Sequence, residues 1–88
     1  MKFTKEQEEI VINCGVFNYG VEKISNVTEI ELSEVKKQLK SKSSMLSKLI
    51  QKGVDMSDYV IDLKLFNMAK AGDIKALEKL EMRKDTRE

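Results

Sequence analysis

Apolar residues in this chain come singly or in runs of two or three, spaced three to four apart, with glycine, serine or aspartate punctuating the stretches. That spacing is the 3.6-residue period of short amphipathic helices. In "FTKEQEEIVINCGVFNYG", Ile10, Cys14 and Phe17 recur at helical spacing and are expected to face a core, with Val11 at its edge. Thr4 stands three residues before Gln7, the spacing of a capping box. Glu6, Glu8 and Glu9 lie in the first turns, where the helix dipole favours negative charge, and Gly20 is the expected stop.

"VEKISNV" predicts a second, short helix with Val21, Ile24 and Val27 inward. "TEIEL" alternates weakly, over too short a stretch to define a strand. Ser33 is the expected N-cap of a third helix, "EVKKQLK", in which Val35 and Leu39 share one face and Lys36, Lys37 and Lys40 the other. Ser43 or Ser44 opens a fourth helix, "MLSKLIQK", with Met45, Leu46, Leu49 and Ile50 inward and Gly53 as its stop. Ser57 is expected to cap a fifth, "DYVIDLKLFNMAKA", carried inward by Tyr59, Val60, Leu63, Phe66 and Met68 or Ala69. Gly72 then ends one helix and Asp73 caps the sixth, which presents Ile74, Leu77 and Leu80. The fold class is therefore all-α: a small multi-helix domain with a helix-turn-helix and a C-terminal helical hairpin. Residues 1–56 form the first part and 57–88 the second, within one compact domain.

Charge changes this picture in one place. The chain carries 16 basic and 15 acidic residues, a net of +1. Residues 33–52, "SEVKKQLKSKSSMLSKLIQK", hold six lysines and one acid, a local balance of 6 − 1 = +5. A short helix at 19–27, a tight link and a capped helix at 32–41 with a basic outer face outline a helix-turn-helix, whose second helix enters the DNA major groove. Ile24 would pack the first helix, Ser25 would allow a close crossing, and Ile30 would plug the link. The link, "NVTEIE", lacks the usual glycine, and Asn26 is its residue best suited to positive φ. Lysines suit phosphate, which needs positive charge without sequence information. The candidate DNA contacts are Ser33, Lys36, Lys37, Gln38 and Lys40, with Lys42, Ser43 and Ser44 at the edge. Gln38 alone has the amide suited to adenine.

Other chemistry is sparse. With no histidine, one cysteine and four scattered glycines, the chain offers no nucleophile–base pair and no phosphate loop. We expect no enzyme, no cofactor and no metal. Asp58 and Asp62 lie four apart, but a helix-start position for Asp58 and a partner such as Lys64 for Asp62 account for them better than a metal does. Cys14 is read as a buried, inert thiol. Tyr19, Phe17 and Phe66 are read as core, and Met45, Met56, Met68 and Met82 as gap-fillers. No stretch is apolar enough to span a membrane, and the N-terminus is too polar for a signal peptide, so a cytoplasmic location is expected.

The C-terminal third, "LKLFNMAKAGDIKALEKLEMRKDTRE", contains an A-x-x-G-D-x-x-A-L joint made by Ala69, Gly72, Asp73, Ala76 and Leu77. With the basic stretch upstream, residues 6–84 resemble the small terminase subunits of tailed bacteriophages and prophages. The resemblance implies a non-catalytic component that recognises viral double-stranded DNA for packaging, in a bacterial host cell. It also implies a homo-oligomer that hands DNA to a large terminase subunit. In that reading Lys36, Lys37, Gln38 and Lys40 lie on DNA, while Leu63, Phe66, Ile74, Leu77 and Leu80 serve the hairpin or contact partners. A helix-turn-helix transcription regulator, and a helical protein-interaction module without nucleic-acid binding, are the alternative readings.

Overall fold

The computed structural model describes residues 2–87, and the secondary structure among them is entirely helical. Five helices follow in order: α1 (Lys5–Val16), α2 (Val21–Thr28), α3 (Leu32–Leu39), α4 (Met45–Lys70) and α5 (Ile74–Asp85). The chain divides into two compact units, Met1–Ser57 and Asp58–Glu88.

In the first unit, α1 starts with the expected capping box. The Gln7 amide donates to Thr4 Oγ1 at 3.2 Å and the Thr4 amide to Gln7 Oε1 at 2.9 Å. Its end differs from expectation. Asn18, at φ 57°, takes the left-handed position, with the Tyr19 amide on the Cys14 carbonyl and the Asn18 amide on that of Gly15. These two bonds make a Schellman ending, which asparagine tolerates better than most residues. Gly20 is instead the N-cap of α2.

The core joins Val11, Cys14, Ile24, Val35, Leu46 and Leu49. The face of α1 is therefore turned from the expected one: Val11, Cys14 and Gly15 are buried, while Ile10 and Phe17 are exposed. The cause is a close crossing of α1 and α4. A side-chain carbon on Gly15 would strike the Ile50 carbonyl and lie 3.2 Å from Gly53 Cα; one on Gly53 would strike the Ile12 carbonyl. Two backbones in contact admit no Cβ, so Gly15 and Gly53 fix the rotation of α1. Phe17 points outward and stacks, tilted, on Tyr19 with ring centroids 5.5 Å apart. Tyr19 is partly buried against the core, as expected. Val27 is exposed, as is Met45.

The same contact explains a second correction. Gly53 and Ser57 do not end and begin helices, because α4 runs unbroken from Met45 to Lys70. A glycine in a helix interior costs about 1 kcal/mol against alanine. Here its missing side chain is what the neighbouring backbone requires.

In the second unit, the end of α4 and α5 form an antiparallel hairpin through the Ala69–Asp73 joint. Gly72, at φ 104°, closes a Schellman ending, with the Gly72 amide on the Ala69 carbonyl and the Asp73 amide on that of Met68. Asp73 Oδ1 then accepts from the Ala76 amide at 3.0 Å, so this stop and start fall where the sequence placed them. The seam differs from the expected one. Asp58, Asp62, Leu65 and Ala69 of α4 are the less exposed positions, matched on α5 by Ala76, Leu80 and Arg83. Tyr59, Val60, Leu63, Phe66, Met68, Ile74 and Leu77 are all exposed. Two aspartates occupy seam positions because arginines reach them. Arg83 Nε donates to Asp62 Oδ1 at 2.6 Å and its Nη2 to Asp58 Oδ1 at 3.2 Å, and Arg87 Nη2 donates to Asp62 Oδ2 at 2.5 Å. The Arg83 hydrogen bond, helped by Arg87 and opposed by partial desolvation, holds the Asp62 carboxyl below the usual carboxylate range.

Two tests follow from these contacts. Gly53→Ala, and separately Gly15→Ala, should each lower stability by about 2 kcal/mol or more, read as the urea midpoint. Gly20→Ala meets no atom nearby and should cost under about 1 kcal/mol, through the N-cap preference alone. For Asp62 the depressed native pKa sets the sign. Its stabilisation is complete above the ordinary carboxylate range and is lost as pH falls through the native value. The stability difference between wild type and Asp62→Asn should therefore be constant near neutrality and close in acid.

Candidate nucleic-acid interface

The basic stretch falls on α3, the α3–α4 link and the first turns of α4. α2 and α3 are joined by three residues, Glu29–Glu31, and this link is built by hydroxyls instead of glycine. Ser25 Oγ donates to the Ile30 carbonyl at 2.5 Å. Thr28 Oγ1 donates to the Ile24 carbonyl at 2.5 Å. Ile30 packs on the core, as expected of a plug. The left-handed residue is Glu29, at φ 60°, in place of the expected Asn26. It follows directly on the last residue of α2, where a left-handed residue turns the chain out of the helix. Glu31, not Ser33, is the N-cap of α3, and it makes no side-chain capping bond.

Val35 is fully buried and Leu39 packs beside it, which sets the rotation of α3. At about 100° per residue, Lys37 then points directly away from the core, with Ser33 and Lys40 beside it and Lys36 at one margin. All four are exposed. Lys42 and Ser43 are exposed in the link, where the Ser41 and Ser43 hydroxyls hydrogen-bond at 2.9 Å. Lys48 and Lys52, one turn apart on α4, are also exposed.

Among the described residues, none of these lysines forms an ion pair. Every ion pair found lies in the second unit: the Arg83 and Arg87 bonds to Asp58 and Asp62, and Lys84 with Glu81 at 3.6 Å. The cations of α3 are thus uncommitted, close together and solvated. Such an arrangement has the charge and exposure that suit a polyanion.

Two sequence candidates are engaged elsewhere. Gln38 is half-buried at the margin opposite Lys36 and donates its amide to Glu34 Oε1 at 2.9 Å. Ser44 belongs to the joint: its hydroxyl donates to the Gln38 carbonyl at 2.7 Å and accepts from the Ser47 amide at 3.1 Å. Ser47 Oγ donates to the same carbonyl at 3.2 Å. These bonds satisfy the end of α3 and start α4, so Ser44 is a capping residue.

Elsewhere, Asp58 and Asp62 are occupied by Arg83 and Arg87, and no cluster of three metal-ligating side chains occurs among the described residues. Cys14 is buried, and burial pushes its thiol pKa up. Among the described residues no helix is long and apolar enough to cross a membrane. The arginine–aspartate cluster was missed from the sequence, although a signal was present: two aspartates four apart before the Gly-Asp joint, two arginines four apart after it. No family model, curated protein or solved structure matches the chain.

Glu29 offers a direct test of the link. An L-residue in the left-handed region costs roughly 1 kcal/mol that glycine avoids, against glycine's larger unfolded-state entropy. Glu29→Gly should raise stability by up to about 1 kcal/mol, read as a higher urea midpoint.

Proposed function

We propose that this chain binds double-stranded DNA through the outer face of α3, with Lys36, Lys37 and Lys40 on phosphates and Ser33, Lys42 and Ser43 at the edges. The observation that carries the reading is the set of exposed, unpaired lysines on a short helix held down by Val35 and Leu39, directly after a three-residue link from α2. A helix-turn-helix presents its second helix to the major groove in this way. Lysines without a companion arginine give charge-driven binding with little base discrimination. Gln38, turned to Glu34, is a weak candidate reader. The narrower role, a non-catalytic component that selects viral DNA for packaging, rests on the resemblance of residues 6–84 to small terminase subunits. The Ala69–Leu77 joint adds support, since it makes the helix stop and start that the resemblance implies.

The test is fluorescence anisotropy of a labelled duplex over a salt series. Binding should weaken steeply with salt. Lys36→Ala/Lys37→Ala/Lys40→Ala should abolish it near physiological salt and reduce the log–log salt slope by about 2 to 3. No binding by the wild-type chain at low salt overturns the reading and favours a protein-interaction module.

A further inference from the structure

Charge along α3 is not symmetric. Residues 29–34 hold three glutamates, Glu29, Glu31 and Glu34, whereas residues 35–54 hold six lysines and no acidic side chain. The boundary falls inside α3, so its N-terminal end is negative and the rest positive. Glu29 and Glu31 are exposed, and neither forms an ion pair among the described residues. Glu31 is the N-cap of α3 yet makes no side-chain capping bond. A helix-turn-helix sets the N-terminal residues of its second helix against base edges, between two rows of phosphates. Two free carboxylates at that end meet those rows with like charge.

The positive side continues past α3. Ser44 Oγ donates to the Gln38 carbonyl at 2.7 Å, which pins the end of α3 to the start of α4. The Lys48 amide donates to the Ser44 carbonyl at 3.0 Å, so Lys48 stands one turn above that junction. Lys52 follows one turn further, about 6 Å along the axis and on the same side of the helix. Leu46, Leu49 and Gly53 take the core side of α4, and Lys48 and Lys52 are exposed. The first carboxylate beyond them, Asp55, accepts from Gln51 Nε2 at 3.0 Å. We propose that the DNA backbone is seated at the α3–α4 corner. Its phosphates run from the lysines of α3 past Lys42 onto Lys48 and Lys52, while Glu29 and Glu31 hold the duplex off the N-terminal end of α3. This seating rests on the DNA-binding reading above. It adds two lysines that a groove-inserted α3 does not need and two carboxylates that act by repulsion. Contacts of this kind position a duplex without reading its bases.

Anisotropy of a labelled duplex titrated with the full chain over a salt series tests this. Lys48→Ala/Lys52→Ala should lower the log–log salt slope by about 1 to 2, with equal loss of affinity on duplexes of unrelated sequence. Alanine on an exposed helix face keeps the helix, so that loss is not one of folding. Lys75→Ala/Lys79→Ala removes the same charge from α5 and should leave the slope unchanged. Glu29→Gln/Glu31→Gln should bind roughly three- to tenfold tighter at low salt, a gain that fades as salt screens it. A damaged fold does not produce tighter binding. Wild-type binding with a slope untouched by Lys48→Ala/Lys52→Ala overturns this seating and leaves the α3 reading standing. So does an equal loss in the α5 pair, or unchanged or weaker binding by Glu29→Gln/Glu31→Gln. No binding by wild type at low salt overturns both.

Discussion

The first unit is organised around the place where α1 and α4 touch backbone to backbone, at Gly15 and Gly53. Most helix pairs keep 8–10 Å between axes because side chains fill the gap. With no Cβ at either glycine the helices close further, and the rotation of each becomes fixed. That rotation puts Val11 and Cys14 against Leu46 and Leu49, leaving a slot that Ile24 and Val35 complete. It also turns Ile10 and Phe17 outward. A core of six side chains is thin, so its orientation matters more than its size. Small errors in rotation would expose a large share of it.

The link between α2 and α3 shows another way to make a tight connection without the usual residue. Glycine would supply left-handed φ freely. Here Glu29 adopts it, and the hydroxyls of Ser25 and Thr28 tie the link to α2. The α3–α4 joint uses the same device, with Ser44 and Ser47 both donating to the Gln38 carbonyl. Short hydroxyl side chains thus brace both ends of α3. That rigidity is what keeps Lys36, Lys37 and Lys40 on one outer face when Val35 alone is fully buried beneath them.

Local chemistry was legible in the sequence and packing was not. The capping box at Thr4 and the Gly72–Asp73 stop and start depend on residues within a few positions of one another, and both formed as expected. The break expected at Gly53 failed because glycine has two uses, ending a helix or admitting a neighbour, and only the tertiary partner decides between them. The phase of α1 failed for the same reason, since the apolar stripes Ile10–Cys14–Phe17 and Val11–Cys14 overlap. On the basic face, the lysines were legible as a cluster. The engagement of Ser44 and Gln38 by their neighbours depended on where α3 ended, which the sequence did not locate. In the hairpin, hydrophobicity favoured Tyr59 and Leu63 for the seam, whereas the arginine pairs placed Asp58 and Asp62 there.

The distribution of cation types separates the two units by chemistry. The only two arginines, Arg83 and Arg87, are both in the hairpin and both hold aspartates, Arg83 through two nitrogens. Arginine suits that task because its planar fork fixes direction as well as charge. The basic residues around α3 are all lysines, compact point charges on flexible stems that stay hydrated and commit to no fixed geometry. Arginines there would form directional pairs with guanine edges or with Glu29, Glu31 and Glu34 nearby. Lysines leave the face uncommitted, as unpaired and hydrated charge with no fixed direction. The same formal charge therefore works as a structural clasp in one unit and as an open electrostatic surface in the other, and side-chain geometry makes the difference.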